Sequence, residues 1–289
     1  MSEPGAVPSL ADHVANWNPE PTTVHDTLTA HRVNELAATL DVEQRFGDGD
    51  PLPLLWQWIF FLDWPATAEL GADGHPRHGH FLPPIPNRRR MFAGGRVTVN
   101  APLVIGRPAT RHSQITGTAA KSGRTGELLF VSVRHVYRQE STECVVEEQD
   151  LVYRSDEGAA TPFARVTAPL TMPPAAWTST PVTHPALLFR FSALTGNAHR
   201  IHYDQAYATG TEGFPALVVH GPLLAVYMSE LLRANAGGRS AQRFEFRLRR
   251  PVFLGDQIGV AGAPDGASVT LSVVSGDDDV HASASATLG

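Results

Sequence analysis

The sequence contains 289 residues with a formal net charge of -6, and 42% of the residues are hydrophobic while 18% are charged. This composition allows a sizeable buried core and excludes global disorder, and the acidic balance argues against a nucleic-acid-binding protein. Cys144 is the single cysteine, so no intramolecular disulfide can form. We expect a cytoplasmic protein, because the N-terminus does not resemble a secretory signal and no apolar run could span a bilayer.

The first half of the sequence is predicted to fold as helical segments followed by four strands. Apolar residues at helical spacing predict a helix over Thr27–Leu40, and the apolar run Pro51–Leu62 predicts a short buried helix. The segment Pro65–Pro86 is rich in Gly, Pro and His without periodicity, so it is predicted to be a loop. Alternating, Val-rich segments then predict strands over Gly94–Leu103, Thr110–Thr118, Leu128–Gln139 and Cys144–Arg154.

The second half repeats this order after a Pro/Ala/Thr-rich segment, 156–180, that is predicted to be a linker. A strand is predicted over Ala186–Ser192, and the apolar segment Val218–Arg233 predicts a helix with Pro222 in its first turn. Four more strands are predicted over Phe244–Phe253, Gln257–Ala261, Ser268–Val274 and Val280–Leu288.

A local repeat links the two halves. The segment Arg96–Gly106 resembles Glu245–Gly255, since each is an alternating strand that runs into Pro, three apolar residues and Gly. Coincidence between common strand and turn patterns would also explain one such match. Together with the repeated order of elements, it favours two copies of one α+β unit, 1–155 and 181–289. A helix wrapped by an antiparallel sheet is the layout of a hot-dog fold, so we predict a double hot dog with its sheets joined edge to edge.

Chemistry-bearing residues concentrate in one segment, 191–204, which reads FSALTGNAHRIHYD and is predicted to be a strand-to-helix turn. Three interpretations stay open for its His199, His202 and Asp204. They could ligate zinc, although the chain lacks a further cluster at standard spacing and the nearby His75, His78 and His80 would bind metal only adventitiously. They could be hydrogen-bonded turn and cap residues. They could also perform acid–base catalysis, because an imidazole titrates near neutrality.

The segment resembles the signature of the MaoC-like, or hydratase 2, family of enoyl-thioester hydratases. In that motif His202 matches the catalytic His and Asp204 the final Asp, and the later pair His220-Gly221 matches the start of the central helix. Two linked matches in the right order are more specific than either alone. The sequence departs from the motif at Asn197, which stands where the family has its catalytic Asp. An amide cannot accept a proton as a carboxylate does.

The resemblance implies a role for each matching residue. His202 would be the general base, Asn197 would orient a water, and His199 would be a second catalytic group. The first N–H groups of the helix that begins at His220-Gly221 would bind the thioester oxygen, with the N–H of Gly221 as the oxyanion donor.

Two further segments, Trp56–Trp64 and Phe81–Gly95, look like the fused double hot-dog branch of this family. The branch implies one active site per chain, with an N-terminal half that has given up its catalytic groups and holds the acyl chain. Arg200 is a candidate for binding a substrate carboxylate. Arg88, Arg89 and Arg90 form a basic run. This run is either a solvated loop or a site for the phosphates of coenzyme A.

The expected function is therefore a hydro-lyase that adds water reversibly to an enoyl-CoA, with a short, branched dicarboxylic acyl group resembling mesaconyl-C4-CoA. The alternatives are a 3-hydroxyacyl-ACP dehydratase of fatty acid synthesis and an acyl-thioester-binding hot-dog protein without catalysis. We expect no metal and no cofactor other than coenzyme A as part of the substrate. The expected partners are the acyl-CoA or acyl-carrier-protein substrate and possible second copies of the chain in a homodimer.

Overall fold

Ten strands form one antiparallel sheet in the computed structural model, which describes residues 8–86, 88–123, 126–155, 163–276 and 279–289. The strands are β1 Thr22–Thr27, β2 Arg89–Val99, β3 Pro108–Gly123, β4 Gly126–Gln139, β5 Thr142–Arg154, β6 Trp177–Ser179, β7 Ala241–Leu248, β8 Gly259–Asp265, β9 Ser268–Val274 and β10 Val280–Leu288. Their order across the sheet is β1-β3-β4-β5-β2-β7-β10-β9-β8-β6.

Five α-helices accompany the sheet within the described ranges: α1 Leu10–Val14, α2 Ala30–Thr39, α3 Pro185–Thr195, α4 Gln205–Gly210 and α5 Gly221–Asn235. Short 3₁₀ helices occupy Trp56–Ile59, Thr67–Glu69 and Arg200–His202. None of the helices in these ranges is both long and apolar enough to cross a membrane.

The two halves meet where β2 pairs with β7. In this ladder Gly94 lies opposite Arg247, Arg96 opposite Glu245 and Thr98 opposite Arg243. Arg96 and Glu245 are also the first residues of the two repeated segments, so equivalent strands pair antiparallel about a local two-fold axis at this position. The pairing covers one edge of each sheet, and the predicted double hot-dog fold, with sheets joined edge to edge, is confirmed.

The central helix of the C-terminal half is α5, which packs against β8, β9 and β10. Eight of its 15 residues are buried, because the segment is apolar nearly all round. It begins three residues after the predicted start at Val218. The backbone N–H groups of Val218 and Val219 donate instead to Ile201 and Val252 at 2.9 and 2.8 Å, so this segment is extended before the helix begins.

The strand predicted over Ala186–Ser192 is wrong, since these residues belong to α3. The His184 side chain caps this helix by accepting from the Leu187 N–H, Pro185 occupies its first turn, and Gly196 ends it at φ 62°. A seven-residue apolar run fits a strand or a buried helix equally well, and here the flanking cap and glycine decide for a helix.

Several strand ends also shift, as in β2, which is Arg89–Val99 rather than Gly94–Leu103, and three further differences concern the helical segments and the linker. Only Trp56–Ile59 of the apolar run Pro51–Leu62 is helical, and it is a 3₁₀ helix. The helix predicted from Thr27 begins at Ala30, because Thr27 ends β1. Within the predicted linker, residues 156–162 lie outside the described ranges, and Trp177–Ser179 pairs with β8 at the sheet edge. The division of the chain into 1–155, 156–180 and 181–289 stays a prediction.

Candidate active site

The segment with the hydratase-like motif connects two helices, so the predicted strand-to-helix turn is in fact a helix-to-helix turn. After α3 ends, the Asn197 N–H donates to the Ser192 carbonyl oxygen at 2.9 Å, and Asn197 Oδ1 accepts from the His199 N–H at 3.0 Å. The first bond belongs to the C-terminus of α3, and the second closes an Asx turn. They use the amide oxygen of Asn197 locally and leave its amino group for the cavity that this residue lines.

His202 is buried, and its two ring nitrogens have different roles. Its Nδ1 lies 2.7 Å from the Val218 carbonyl oxygen, and a carbonyl can only accept, so Nδ1 carries the proton. Nε2 therefore has a free lone pair in the neutral ring. Burial lowers the pKa of His202 to about 4, although the bond to Val218 opposes the shift. A neutral imidazole with a defined tautomer can accept a proton from water.

Four histidine rings follow one another through the site. The centroids of His75 and His199 are 4.1 Å apart, those of His199 and His202 are 5.6 Å apart, and His202 stacks on His220 at 3.7 Å. Burial lowers the pKa of each of these imidazoles. The row is therefore a set of neutral bases in a poorly solvated place.

The Asp73–His75 pair was not anticipated as part of this site. His75 Nδ1 lies 2.9 Å from Asp73 Oδ2. Burial alone would raise the pKa of Asp73, but the hydrogen bonds and charge of His75 lower it to about 2. Burial lowers the pKa of His75, and the bond to Asp73 opposes this shift. The one sequence signal for the pair was the concentration of histidines in the segment predicted to be a loop.

Metal binding is the alternative role for Asp73, His75 and His199. Single atoms of Asp73, His75 and His199 lie within 4.8 Å of one another, which makes them the one such potential ligand group in the described ranges. The direct bond between Asp73 and His75 occupies Asp73 Oδ2 and His75 Nδ1 with each other and leaves His75 Nε2 as the nitrogen available to a proton or an ion. The absence of a metal stays a prediction.

Arg200 and Asp204 form an ion pair beside the cavity. The Arg200 guanidinium donates to Asp204 Oδ2 at 2.7 and 3.0 Å and to the Ala72 carbonyl oxygen at 2.9 Å, and it lies 4.2 Å from the Tyr207 ring centroid. Asp204 Oδ1 caps α4 by accepting from the Tyr207 N–H. Arg200 is not among the described residues that line the cavity, so the structure places this candidate for substrate carboxylate binding in a structural ion pair.

The start of α5 faces the same cavity. His220 is the N-cap residue, its Nε2 lies 2.8 Å from Ser192 Oγ, and its Nδ1 is buried without a hydrogen-bond partner in the described part of the chain. Gly221 and Pro222 line the cavity. A Cβ on Gly221 would lie 2.5 Å from Leu248 Cδ1, so only glycine fits without a shift of that side chain. Because Gly221 and Pro222 line the cavity, the first N–H groups of α5 border the space that a ligand would occupy.

The cavity extends from these histidines into the N-terminal half and has a volume of about 1910 Å³. Its lining includes Arg88, Arg89 and Arg90 from β2 and the segment before it. Deeper in the N-terminal half, it is lined by a polar cluster that consists of Arg111, Ser113, His135, Tyr137 and Gln149. Sequence reasoning predicted an acyl pocket in this half but did not single out any of these side chains.

The polar cluster is organised around the buried Glu147. Its carboxylate accepts from Trp58 Nε1 at 2.7 Å, Tyr137 Oη at 2.9 Å and Gln149 Nε2 at 2.7 Å, and also from Gln57 Nε2. Arg111 differs from Glu147 because its Nε is buried without a hydrogen-bond partner in the described ranges, and no described carboxylate forms an ion pair with it. Arg111 also contacts the Phe61 ring at 5.9 Å, and it is a cation of the cavity lining without a described carboxylate partner.

Comparisons with known proteins find a matching family and two similar relatives. Residues 55–254 match the family described as hydroxyacyl-thioester dehydratase type 2. The chain is 43% identical over 284 residues to a mesaconyl-C(4)-CoA hydratase of Chloroflexus aurantiacus, a match that covers 97% of this chain and 99% of the relative. It is 34% identical to the mitochondrial hydroxyacyl-thioester dehydratase type 2 of Schizosaccharomyces pombe, over 71% of this chain and 75% of the relative.

Solved structures support the fold. HtdX of Mycobacterium tuberculosis superposes with a TM-score of 0.63 at 17% identity and covers 92% of this chain and 99% of its own. A MaoC-like dehydratase of Phytophthora capsici superposes with a TM-score of 0.66 at 16% identity, over 96% and 98% of the two chains. At these identities the likeness concerns the arrangement of the elements.

Proposed function

Because the chain belongs to the hydroxyacyl-thioester dehydratase type 2 family, we propose that it adds water reversibly to the C2=C3 double bond of an enoyl-CoA thioester. The observation that carries this proposal is the buried, neutral His202, whose Nδ1 is held by the Val218 carbonyl oxygen and whose Nε2 is free. A neutral base at the edge of a cavity is what the activation of water requires.

The reaction places hydroxide on C3 and a proton on C2. The negative charge that develops on the thioester oxygen needs hydrogen-bond donors, and the N–H of Gly221 at the positive end of α5 is the group that we assign to it. His202 Nε2 accepts a hydrogen bond from the attacking water and holds it over C3. Asn197 and His199, which line the same cavity, complete the water site.

We propose a short dicarboxylic acyl-CoA as substrate, mesaconyl-C4-CoA being the substrate in the name of the relative that is 43% identical. Such a substrate carries a free carboxylate that needs a cation within the cavity. Arg200 is engaged by Asp204, whereas Arg111 lines the cavity and has no described carboxylate partner. Arg111 is therefore the group that we assign to the acyl carboxylate.

Coenzyme A carries phosphates that need cations at the mouth of the cavity. Arg88, Arg89 and Arg90 line the cavity next to each other in the chain, and arginine binds phosphate through paired donors. We assign the phosphates of coenzyme A to this run. A homodimer and a cytoplasmic location remain expectations from the sequence.

The decisive experiment is a hydration assay with mesaconyl-C4-CoA, followed by the loss of the enoyl absorbance. We expect turnover by the wild-type chain, and we expect His202→Ala to lower kcat by about 10²- to 10⁴-fold while butyryl-CoA binds as before. The matched control is His31→Ala, because His31 is a histidine with an 87% exposed side chain. Turnover of crotonyl-CoA without turnover of mesaconyl-C4-CoA would reject the dicarboxylic substrate.

A 3-hydroxyacyl-ACP dehydratase is the second candidate. It is favoured by the Schizosaccharomyces pombe relative and by a cavity of about 1910 Å³, which exceeds the needs of a four-carbon acyl group. Rates on carrier-protein thioesters that rise with chain length and exceed those on mesaconyl-C4-CoA would select this function instead.

A further inference from the structure

The turn Gly71–His75 belongs to the N-terminal half but lies against the motif segment of the C-terminal half. The Arg200 N–H donates to the Asp73 carbonyl oxygen at 2.8 Å. Gly74 has φ +89°, and a Cβ there would lie 1.9 Å from the Ala198 carbonyl oxygen, so the two backbones are in direct contact. These contacts hold the turn in place beside the histidine row.

Asp73 and His75 have the geometry of a carboxylate–imidazole pair. Asp73 Oδ1 accepts from the His75 backbone N–H at 3.0 Å, and Asp73 Oδ2 accepts from His75 Nδ1 at 2.9 Å. The Nδ1 proton is thereby fixed, and His75 Nε2 is left with its lone pair. His75 lines the cavity and its ring lies against that of His199.

The Asp73–His75 pair lies beside the motif segment, which has Asn197 at the position where the family motif has a carboxylate. Asn197 occupies the position of the motif's Asp and uses its Oδ1 in an Asx turn. The hydrogen-bond partner of His202 is the Val218 carbonyl oxygen rather than a carboxylate, whereas Asp73 can stabilise a positive charge on His75. Within the described part of the site, His75 is therefore the imidazole best able to hold a proton between two steps.

We propose that Asp73 and His75 are the second proton-handling pair of the active site and that His75 carries to C2 the proton that water loses. This proposal rests on the proposed hydratase function. His75 would be a catalytic residue, and Asp73 a positioning residue that acts through it. The pair comes from the other half of the chain than His202, so the active site is shared between the two hot-dog units.

The proton balance of the step is complete without a further reactant. The water oxygen, held by the hydrogen bond that its other O–H donates to His202 Nε2, bonds to C3 while one of its O–H bonds breaks, and that proton goes to His75 Nε2. The C2–C3 π electrons move toward the thioester carbonyl, whose oxygen is held at the start of α5. His75 Nε2–H then gives its proton to C2, a C–H bond forms, and His75 returns to the neutral state. Dehydration runs through the same steps in reverse.

The test compares His75→Asn and Asp73→Asn with the matched control His78→Asn in the full-length chain. His78 is an exposed histidine of the same segment and is not among the described residues that line the cavity. We expect both pair variants to lower kcat on mesaconyl-C4-CoA by about 100-fold or more, while the dissociation constant for butyryl-CoA changes by less than about threefold. The control should retain kcat within about twofold.

Two further measurements separate a chemical role from a structural one. Exchange of the C2 hydrogen of the hydrated product in D₂O should slow in parallel with kcat, because the same proton transfer is blocked. In His75→Ala, added imidazole should restore part of the turnover, whereas a variant that had merely lost the fold of the turn would not respond.

The outcomes distinguish this proposal from the proposed function. If the wild type turns over and His75→Asn stays within about threefold of it, the pair is rejected while the hydratase stands. If equimolar zinc accompanies the purified wild type and its removal abolishes turnover, the three groups are metal ligands and the pair is again rejected. If the wild type hydrates no enoyl-CoA, the hydratase function is rejected and the pair with it.

Discussion

In the C-terminal half, β8, β9 and β10 place buried apolar side chains against α5, among them Val260, Leu271 and Val273. In the N-terminal half, the equivalent strands β3, β4 and β5 place polar side chains on the cavity, among them Arg111 and His135. The shorter helix of this half, α2, has 10 residues and packs against α3 and Trp56–Ile59. Two copies of one strand pattern thus serve two purposes, a helix-filled core and an open pocket.

The polar pocket can exist because its members satisfy one another. Glu147 is fully buried, but its four donors come from Gln57, Trp58, Tyr137 and Gln149. A buried carboxylate with this number of partners is tolerated, whereas an unpaired one would be strongly destabilising. Arg111 is the cation of this pocket; its Nε is buried without a hydrogen-bond partner in the described ranges, and it is the group to which we assign the acyl carboxylate.

Among the variants that test the role of the polar pocket, Arg111→Gln is expected to have the largest effect on kcat/KM. The change removes the cation and keeps polar atoms, so kcat/KM for mesaconyl-C4-CoA should fall by about 100-fold, which corresponds to about 2.7 kcal/mol. Turnover of crotonyl-CoA, which lacks the second carboxylate, should stay within about threefold. The measurement is the ratio of the two kcat/KM values in wild type and variant.

The matched variant for this prediction is Arg90→Gln, which removes a cation from the β2 end of the same cavity. A phosphate-binding role predicts that it weakens both CoA esters equally and leaves their ratio unchanged. The opposite result would be a fall in the ratio of kcat/KM for mesaconyl-C4-CoA to that for crotonyl-CoA in Arg90→Gln, with no change in Arg111→Gln. The acyl carboxylate would then bind at the cavity mouth, and the polar pocket would have another role.

Much of this architecture could be predicted from the sequence, because periodic patterns report local structure. Strands β9 and β10 form over the predicted residues, and α5 follows from its apolar run. The segment Ala186–Ser192 was assigned to a strand because a short apolar run does not distinguish between the two elements.

The site was predicted less completely. His199 and His202 lie together, as their spacing indicates. The Asp73–His75 pair depends on a turn that contacts the motif segment through a backbone hydrogen bond between residues more than 120 positions apart, Asp73 and Arg200. The ion pair of Arg200 with Asp204 was not indicated by the sequence. Contacts of this kind depend on tertiary docking, which leaves no periodic signal.

Buried histidines in both halves should make the stability of the fold depend on pH. Burial lowers the pKa of His135 in the N-terminal half to about 4, as it does for His202 in the C-terminal half. The unfolded chain therefore binds more protons than the folded one between about pH 4 and the ordinary histidine pKa of about 6.5. Stability is complete above about pH 6.5 and is lost as the pH falls through this window, by about 1.4 kcal/mol per pH unit for each histidine.

Urea unfolding at a series of pH values between 7 and 4.5 measures this slope. His135→Gln and His202→Gln should each reduce it by about 1.4 kcal/mol per pH unit, and His31→Gln, at an exposed position, should leave it unchanged. At pH 7, only His202→Gln should lose turnover. An unchanged slope in His135→Gln would mean that the polar pocket admits enough water to keep this imidazole solvated.

The smallest effect is expected for Arg200→Ala, which removes a cation between the two halves. The side chain is 38% exposed and its ion pair with Asp204 is of the (i, i+4) type, so the free energy of unfolding should fall only slightly. Since Arg200 does not line the cavity, the ratio of kcat/KM for mesaconyl-C4-CoA and crotonyl-CoA should match that of the wild type. Its backbone N–H, which holds Asp73, is unaffected by the change. A selective loss of the dicarboxylic substrate in this variant would return Arg200 to the site and would show that the cation for the acyl carboxylate comes from the C-terminal half.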